Sequence, residues 1–268
     1  VYYWNNNYEF KKPTAVITFD DGFKNNYVIA KPILEKYEVP ATFYISTGNV
    51  NDQKLFWVDL LEIIFSNTKI KEINKSSFPT IYSFIPNQKN NIDIDNRFSK
   101  IKVLNKIKIK LKVCHPSYRE RAINKIASEL EVQNCFKIEN CNSEYSILSW
   151  NELKEIQSNN LFTIGGHSRF HNILSKLSGN DLVKEIKGSI IDINKNLGTF
   201  SGHYAYPEGQ PEHFNSETIT VLKKFGVKAC PSAIQGIAEI NKQSLFNFKR
   251  VMVGIDPSSD KIIRNYLT

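Results

Sequence analysis

Apolar residues recur along this chain in two rhythms, and the alternation between them predicts the order of elements. A short β-rich run at 14–19 and another at 41–47, behind Pro40, bracket a stretch at 27–37 whose apolar positions fall at helical spacing. Later the same grammar returns. Ser149-Trp150-Asn151-Glu152 has the form of a capping box opening a helix. It is followed by a strand at 161–164, an amphipathic helix at 181–196, a strand at 204–206, a helix at 216–225, strands at 227–230 and 249–253, and a helix at 259–266. Such repetition implies a parallel sheet, open or closed into a barrel, with chemistry at the C-terminal strand ends.

Between 48 and 148 the rhythm lapses. Asn-, Ser- and Lys-rich stretches such as 87–91 separate short amphipathic pieces, among them 57–65 and 119–130. The pattern reads as a mainly helical subdomain, 51–148, inserted into one catalytic domain that spans 1–268. The run at 106–113 alternates Lys with apolar residues, as a strand would, while Ile101, Leu104, Ile107 and Leu111 fit a helix, and the pattern leaves both open. Its Lys face suits plain solvent, and it also suits an anionic carrier or a peripheral contact with a membrane surface.

Composition narrows the classes. At 268 residues, with 41% hydrophobic and 12% aromatic residues, the chain can bury a large core. The net charge of +8 would favour acidic partners, but abundant Lys, Asn and Ile reflect a compositional habit, and no nucleic-acid partner is expected. Cys114, Cys135, Cys141 and Cys230 show neither CxxC spacing nor a dense framework, so free thiols are expected. No stretch approaches the roughly 20 apolar residues of a membrane span. Val1-Tyr2-Tyr3-Trp4-Asn5 lacks the regions of a signal peptide, so the chain as given reads as cytoplasmic, or as secreted or periplasmic if a signal has been removed.

Two motifs carry the chemistry. Thr18-Phe19-Asp20-Asp21-Gly22 ends one apolar run and His167-Ser168-Arg169-Phe170-His171 follows another. Adjacent carboxylates at a buried strand end repel and are costly without a cation or a shared proton. One Asp and two neutral imidazoles make a three-ligand metal site with room for water, and the second Asp is left to move protons. His-x-x-x-His brings both rings to one side of a helical turn, and Gly165-Gly166 lets the backbone turn off the strand before it.

These motifs, with Tyr206-Pro207-Glu208-Gly209, resemble the first three motifs of the polysaccharide deacetylases, the NodB-homology domain of carbohydrate esterase family four. Connecting stretches are similar too: Lys31-Pro32-Ile33-Leu34 to Pro40-Ala41-Thr42-Phe43, Leu148-Ser149-Trp150, and Leu174-Ser175-Lys176-Leu177-Ser178. The insertion with Phe56-Trp57-Val58-Asp59 resembles a branch associated with capsule, O-antigen and other surface-glycan pathways. The resemblance implies a distorted (β/α) barrel of about seven strands and a divalent metal, usually Zn2+, with Co2+ or Ni2+ as substitutes. By motif position Asp21, His167 and His171 are the implied ligands, Asp20 the general base, and the Glu208 backbone N–H an oxyanion donor. Tyr206 and Pro207 are implied to meet the substrate, an N-acetylated amino sugar of a surface polysaccharide or its precursor, which loses acetate.

Two positions depart from the family pattern. An Arg that orients the base usually stands two residues before the Pro of the third motif, where this chain has Ala205, and Arg250 is the cation expected to replace it from another strand end. The late His that protonates the leaving amine has no counterpart after His213, which is expected on an exposed loop; Asp20 itself can return the proton. Three alternatives stand beside deacetylation. The same ligand triad serves non-haem iron oxygenases, though on all-β folds. A catalytically impaired glycan-binding homologue and a carbohydrate O-acetyl esterase fit the same motifs.

Overall fold

The computed structural model describes residues 12, 14–85, 91–132, 145–239 and 244–254; the expected helix at 259–266, Cys135 and Cys141 lie outside them. In chain order, β1 (Ile17–Phe19) leads through a π-helical turn (Asn26–Ala30) directly into α1 (Lys31–Lys36), then β2 (Ala41–Ile45) and α2 (Thr47–Asp52). There follow α3 (Trp57–Asn67), β3 (Glu72–Asn74), α4 (Pro79–Phe84), β4 (Asn91–Asp93), α5 (Arg97–Lys112) and α6 (Pro116–Glu129). The chain continues with α7 (Trp150–Ser158), β5 (Phe162–Gly166), α8 (Gly179–Leu197) and α9 (Ser216–Lys224). Two compact units result, one from Gln53–Ser146 and one from the sequence on either side.

In the flanking unit, β1, β2 and β5 form a parallel sheet in that order, with Phe19 opposite Phe43 and Phe43 opposite Ile164. Its apolar residues pack ring on ring: Phe19 stacks on Phe43 at 5.1 Å and Phe162 meets Phe43 edge-on at 5.6 Å. Beyond β5 the parallel order continues through single bridges, Gly166 to Tyr204, His203 to Ala229 and Gln235 to Arg250. The expected strands at 204–206, 227–230 and 249–253 are therefore isolated bridges, and the expected seven-stranded barrel is not seen among the described residues, which hold five strands in two sheets. Proline explains part of this. Pro207 and Pro231 follow the first two of these segments and have no amide to extend a ladder. The fold class is α/β.

Helix α8 covers this sheet with a stripe at i, i+4, i+8, where Leu182, Ile186 and Ile190 join Leu174, Tyr204, Tyr206 and Leu222 in one core. Burying each such side chain contributes roughly 1.5–3 kcal/mol. The predicted capping box is present at α7: Ser149 N donates to Glu152 Oε2 (2.8 Å) and Glu152 N donates to Ser149 Oγ (3.3 Å).

The unit at Gln53–Ser146 has its own core, built from Leu61, Ile64, Ile73, Ile81, Ile107, Leu111, Ile123 and Ile126. Here the ambiguous 106–113 run is helical. Val103, Leu104, Ile107 and Leu111 recur at 3.6-residue spacing and are buried together, and Asn96 caps α5 by accepting from Ser99 N at 2.9 Å. The antiparallel pair β3–β4 was not expected; three residues each is too short a run for the alternation to be read.

Candidate metal centre

Both chemical motifs sit where the sheet's strands end. After β1 the chain reverses in a tight turn in which Gly22 N donates to Asp20 O at 3.0 Å. Asp21, at its centre, has φ 77°. An i to i+2 bond around a left-handed residue is rare and strained, and it sends neighbouring carboxylates in different directions. Asp20 meets Arg250 and Asp21 meets the histidines.

The segment after β5 carries His167 and His171. It is not the helical turn expected from the spacing: Ser168 (φ 62°) and His171 (φ 52°) are both left-handed. Neither do Gly165 and Gly166 serve as a turn, because both lie inside β5. A Cβ on Gly165 would stand 2.6 Å from the Tyr44 ring and one on Gly166 2.6 Å from the Tyr204 ring, so they make room for packing. The segment is held by its neighbours. His167 N donates to Ile45 O (2.9 Å), Ser168 N to the Tyr204 hydroxyl (2.8 Å), and Gly48 N to Arg169 O (2.7 Å).

Glu185 of α8 adds three bonds to this anchoring and was not read from the sequence. One oxygen accepts from Arg169 N (3.0 Å) and Phe170 N (3.1 Å), and the other accepts from Asn172 Nδ2 (3.0 Å). The available signal was a carboxylate in an otherwise apolar stripe, between Leu182 and Ile186, which is costly unless hydrogen-bonded.

Asp21, His167 and His171 converge, their ligand atoms lying within 4.8 Å of one another. Asp21 Oδ1 is 3.4 Å from His167 Nε2 and 3.2 Å from His171 Nε2. The far nitrogen of His167, Nδ1, is 2.9 Å from the Ala205 carbonyl. A carbonyl can only accept, so Nδ1 carries a proton, and with a cation bound the neutral ring would offer it the Nε2 lone pair. Asp21 Oδ1 is buried and makes no hydrogen bond among the described residues. A buried carboxylate oxygen facing two ring nitrogens fits a cation placed between them.

The local charges agree with this. Burial raises the Asp21 pKa, but the charge of His171 and the contact with His167 outweigh it and hold the group at about 2. Burial also raises Asp20, and the charge of His167 together with Arg250 brings it below the ordinary carboxylate value. For His167 burial works downward and the two aspartates win, raising it; for His171 burial wins and it is lowered.

Arg250 grips Asp20 with both arms, Nη1 to Oδ1 at 2.8 Å and Nη2 to Oδ2 at 2.7 Å. It is itself fixed by Nε donating to Ser232 O (2.8 Å) and Nη1 to Thr18 Oγ1 (3.1 Å). Ala205 has its side chain buried, and its carbonyl is the partner of His167.

The third motif turns tightly as well. Gly209 N donates to Pro207 O at 2.7 Å around Glu208, whose φ is 63° and whose charge reaches His171. Tyr206 and Pro207 are buried. The Tyr206 hydroxyl donates to Phe246 O at 2.9 Å, and its ring stacks on Phe214 at 4.2 Å. His213 is buried too, not exposed; its Nδ1 accepts from Gln210 N at 3.2 Å. Among the described cysteines, Cys114 and Cys230 are free thiols.

Comparison with known proteins converges on one family. The family profile described as polysaccharide deacetylase matches residues 7–79 and 115–230, more than half of the chain. A poly-beta-1,6-N-acetyl-D-glucosamine N-deacetylase of Staphylococcus aureus (strain MSSA476) is 35% identical over 74 residues, 28% of this chain and 24% of that protein. The match thus spans about a quarter of that relative's length. Among solved structures, the deacetylase PplD of Streptococcus pyogenes in complex with acetate superposes with a TM-score of 0.56 at 17% identity, covering 98% of this chain and 74% of that one. IcaB from Ammonifex degensii gives a TM-score of 0.52 at 16% identity, covering 94% and 72%. At such identities the likeness is one of fold.

Proposed function

The chain belongs to the polysaccharide deacetylase family, and from that premise we propose that it is a metal-dependent hydrolase that removes the N-acetyl group from an amino sugar of a surface polysaccharide or its precursor. The observation that carries this reading is the buried Asp21 oxygen between two imidazoles, beside an Asp20 held by a bidentate Arg.

Asp21, His167 and His171 would hold the divalent cation, and their one oxygen and two nitrogen donors suit zinc, with cobalt or nickel as substitutes. When bound, the cation supplies Lewis acidity to the acetyl carbonyl and lowers the pKa of water. Asp20 then takes a proton from the attacking water as its oxygen bonds to the acetyl carbon. Arg250 keeps the Asp20 carboxylate ionised and fixed in plane for that transfer. The Glu208 N–H donates to the acetyl oxygen as negative charge builds there. When the C–N bond breaks, Asp20 returns its proton to the departing amine, which removes the need for a separate late His. Tyr206 and Pro207, which lead into the Glu208 turn, would border the bound substrate.

The test is acetate release from N-acetylated nucleotide sugars, lipid-linked sugars and oligosaccharides, β-1,6-linked N-acetylglucosamine among them, with zinc added and then removed by chelator. Release that follows zinc is expected. Sugar binding without acetate would instead mark a glycan-binding homologue, and release from O-acetylated sugars alone an esterase.

A further inference from the structure

The outward face of α5 has no role in the chemistry above. Its sixteen residues include six lysines and Arg97 and no acidic residue. Val103, Leu104, Ile107 and Leu111 face the core. On the opposite side Phe98 (79% exposed), Ile101 and Ile109 (69% exposed), with Val113 just past the helix end, share about a third of the helix circumference at 100° per residue, interleaved with Asn105 and Lys112. Lys102 lies among them, and Lys106 and Lys110 flank them.

We propose that this face docks on an anionic lipid bilayer, its exposed apolar side chains entering the headgroup boundary and its lysines meeting the lipid phosphates. Single exposed apolar residues are ordinary, but four on one outward face of a helix whose charged residues are all cationic are not. A helix meant only for water gains from Glu–Lys pairs at i, i+4. Here Lys102, Lys106 and Lys110 repeat at that spacing and repel, a cost that an anionic surface relieves. A nucleic acid or an anionic glycan would match the lysines and leave Phe98 and Ile109 in water. A second copy docked face to face would set like charges against each other. The inference does not depend on the proposed deacetylation.

Flotation of the whole chain with vesicles tests it. The protein should rise with mixed phosphatidylglycerol and phosphatidylcholine vesicles, less so as salt is added, and not with phosphatidylcholine alone. Lys102→Gln, Lys106→Gln and Lys110→Gln should each weaken binding roughly fivefold, about a hundredfold combined. Phe98→Ser with Ile109→Ser should weaken it roughly tenfold or more. Phe98→Trp should shift its emission to the blue on anionic vesicles only. Phe98, Lys102, Ile109 and Lys110 are exposed and Lys106 is half-buried, and circular dichroism checks that the variants fold. The proposal is overturned if the wild type ignores anionic vesicles or if the double Ser variant binds like it. It is also overturned if light scattering shows self-association that the Ser substitutions abolish.

Discussion

Replacing Arg250 by Ala tests how the base is held. The pair it breaks is short and bidentate, with side-chain exposures of 10% for Arg250 and 22% for Asp20. Removing one partner of a fully buried ion pair costs about 3–5 kcal/mol. The residual exposure of Asp20 lets water replace part of the loss, so about 2 kcal/mol is the expected figure, near the usual worth of hydrogen bonds to a charged group. Losing that interaction raises the Asp20 pKa, because the guanidinium no longer favours the ionised carboxylate.

The sign follows directly. Asp20 is depressed in the folded state, so its pairing stabilises the fold above the ordinary carboxylate pKa and is lost as pH falls through the lowered value. The variant should therefore be less stable by about 2 kcal/mol at neutral pH, with the difference shrinking below about pH 4. In catalysis, an Asp without its cation keeps its proton to higher pH, so the acidic limb of kcat/KM for acetate release should move to higher pH. Arg250→Lys restores a charge without the planar fork and should recover part of that shift. The assay is the pH profile of acetate release, with metal content and thermal unfolding measured on the same samples. An unchanged acidic limb in a variant with normal metal and stability would refute the reasoning and leave Arg250 as a structural strut between Ser232, Thr18 and Asp20.

Three further outcomes are expected. His171→Ala should empty the metal site by elemental analysis, and full metal in that variant would exclude His171 as a ligand. Asp20→Asn should keep its metal and lose roughly two to four orders of magnitude in rate, so acetate release at the parent rate would rule out the base. Glu185→Ala strands the N–H groups of Arg169 and Phe170 and should cost about 2–4 kcal/mol in stability and tenfold or more in zinc affinity, measured by thermal unfolding and zinc titration; no change in either would mean the His167–His171 segment holds its shape without that anchor.

What the sequence disclosed was whatever repeats or caps. The stripe of α8, the Ser149 capping box and the βαβ order of β1, α1 and β2 each follow from a periodicity or a fixed offset, and each stands in the structure near its expected place. The later strands failed for a definite reason. A run such as Tyr204 to Tyr206 has the residues of a strand, but a ladder needs consecutive amides, and Pro207 ends the supply at once. The run at 106–113 shows the opposite case, in which a two-residue alternation was present and burial at Val103, Leu104, Ile107 and Leu111 decided for the helix.

At the site, residue types were legible and their backbone was not. Asp21, His171 and Glu208 all take φ between 52° and 77°, conformations that ordinary side chains avoid, and nothing in their identity announces it. Such strain persists only when the surroundings over-determine it. Here the determinants are distant in sequence: Ser46 N on the Asp21 carbonyl, Glu185 on the amides before His171, and Ala233 N on the carbonyl of Gly209 after Glu208. The turns at Asp21 and His171 aim a carboxylate and an imidazole at a common point, and each of the three turns is too strained to hold itself. The motif residues alone therefore do not make the site. The polar anchors around them hold three unfavourable turns at once, and Glu185, which no motif contains, is the one whose loss should release the histidine segment while leaving the aspartate turn in place.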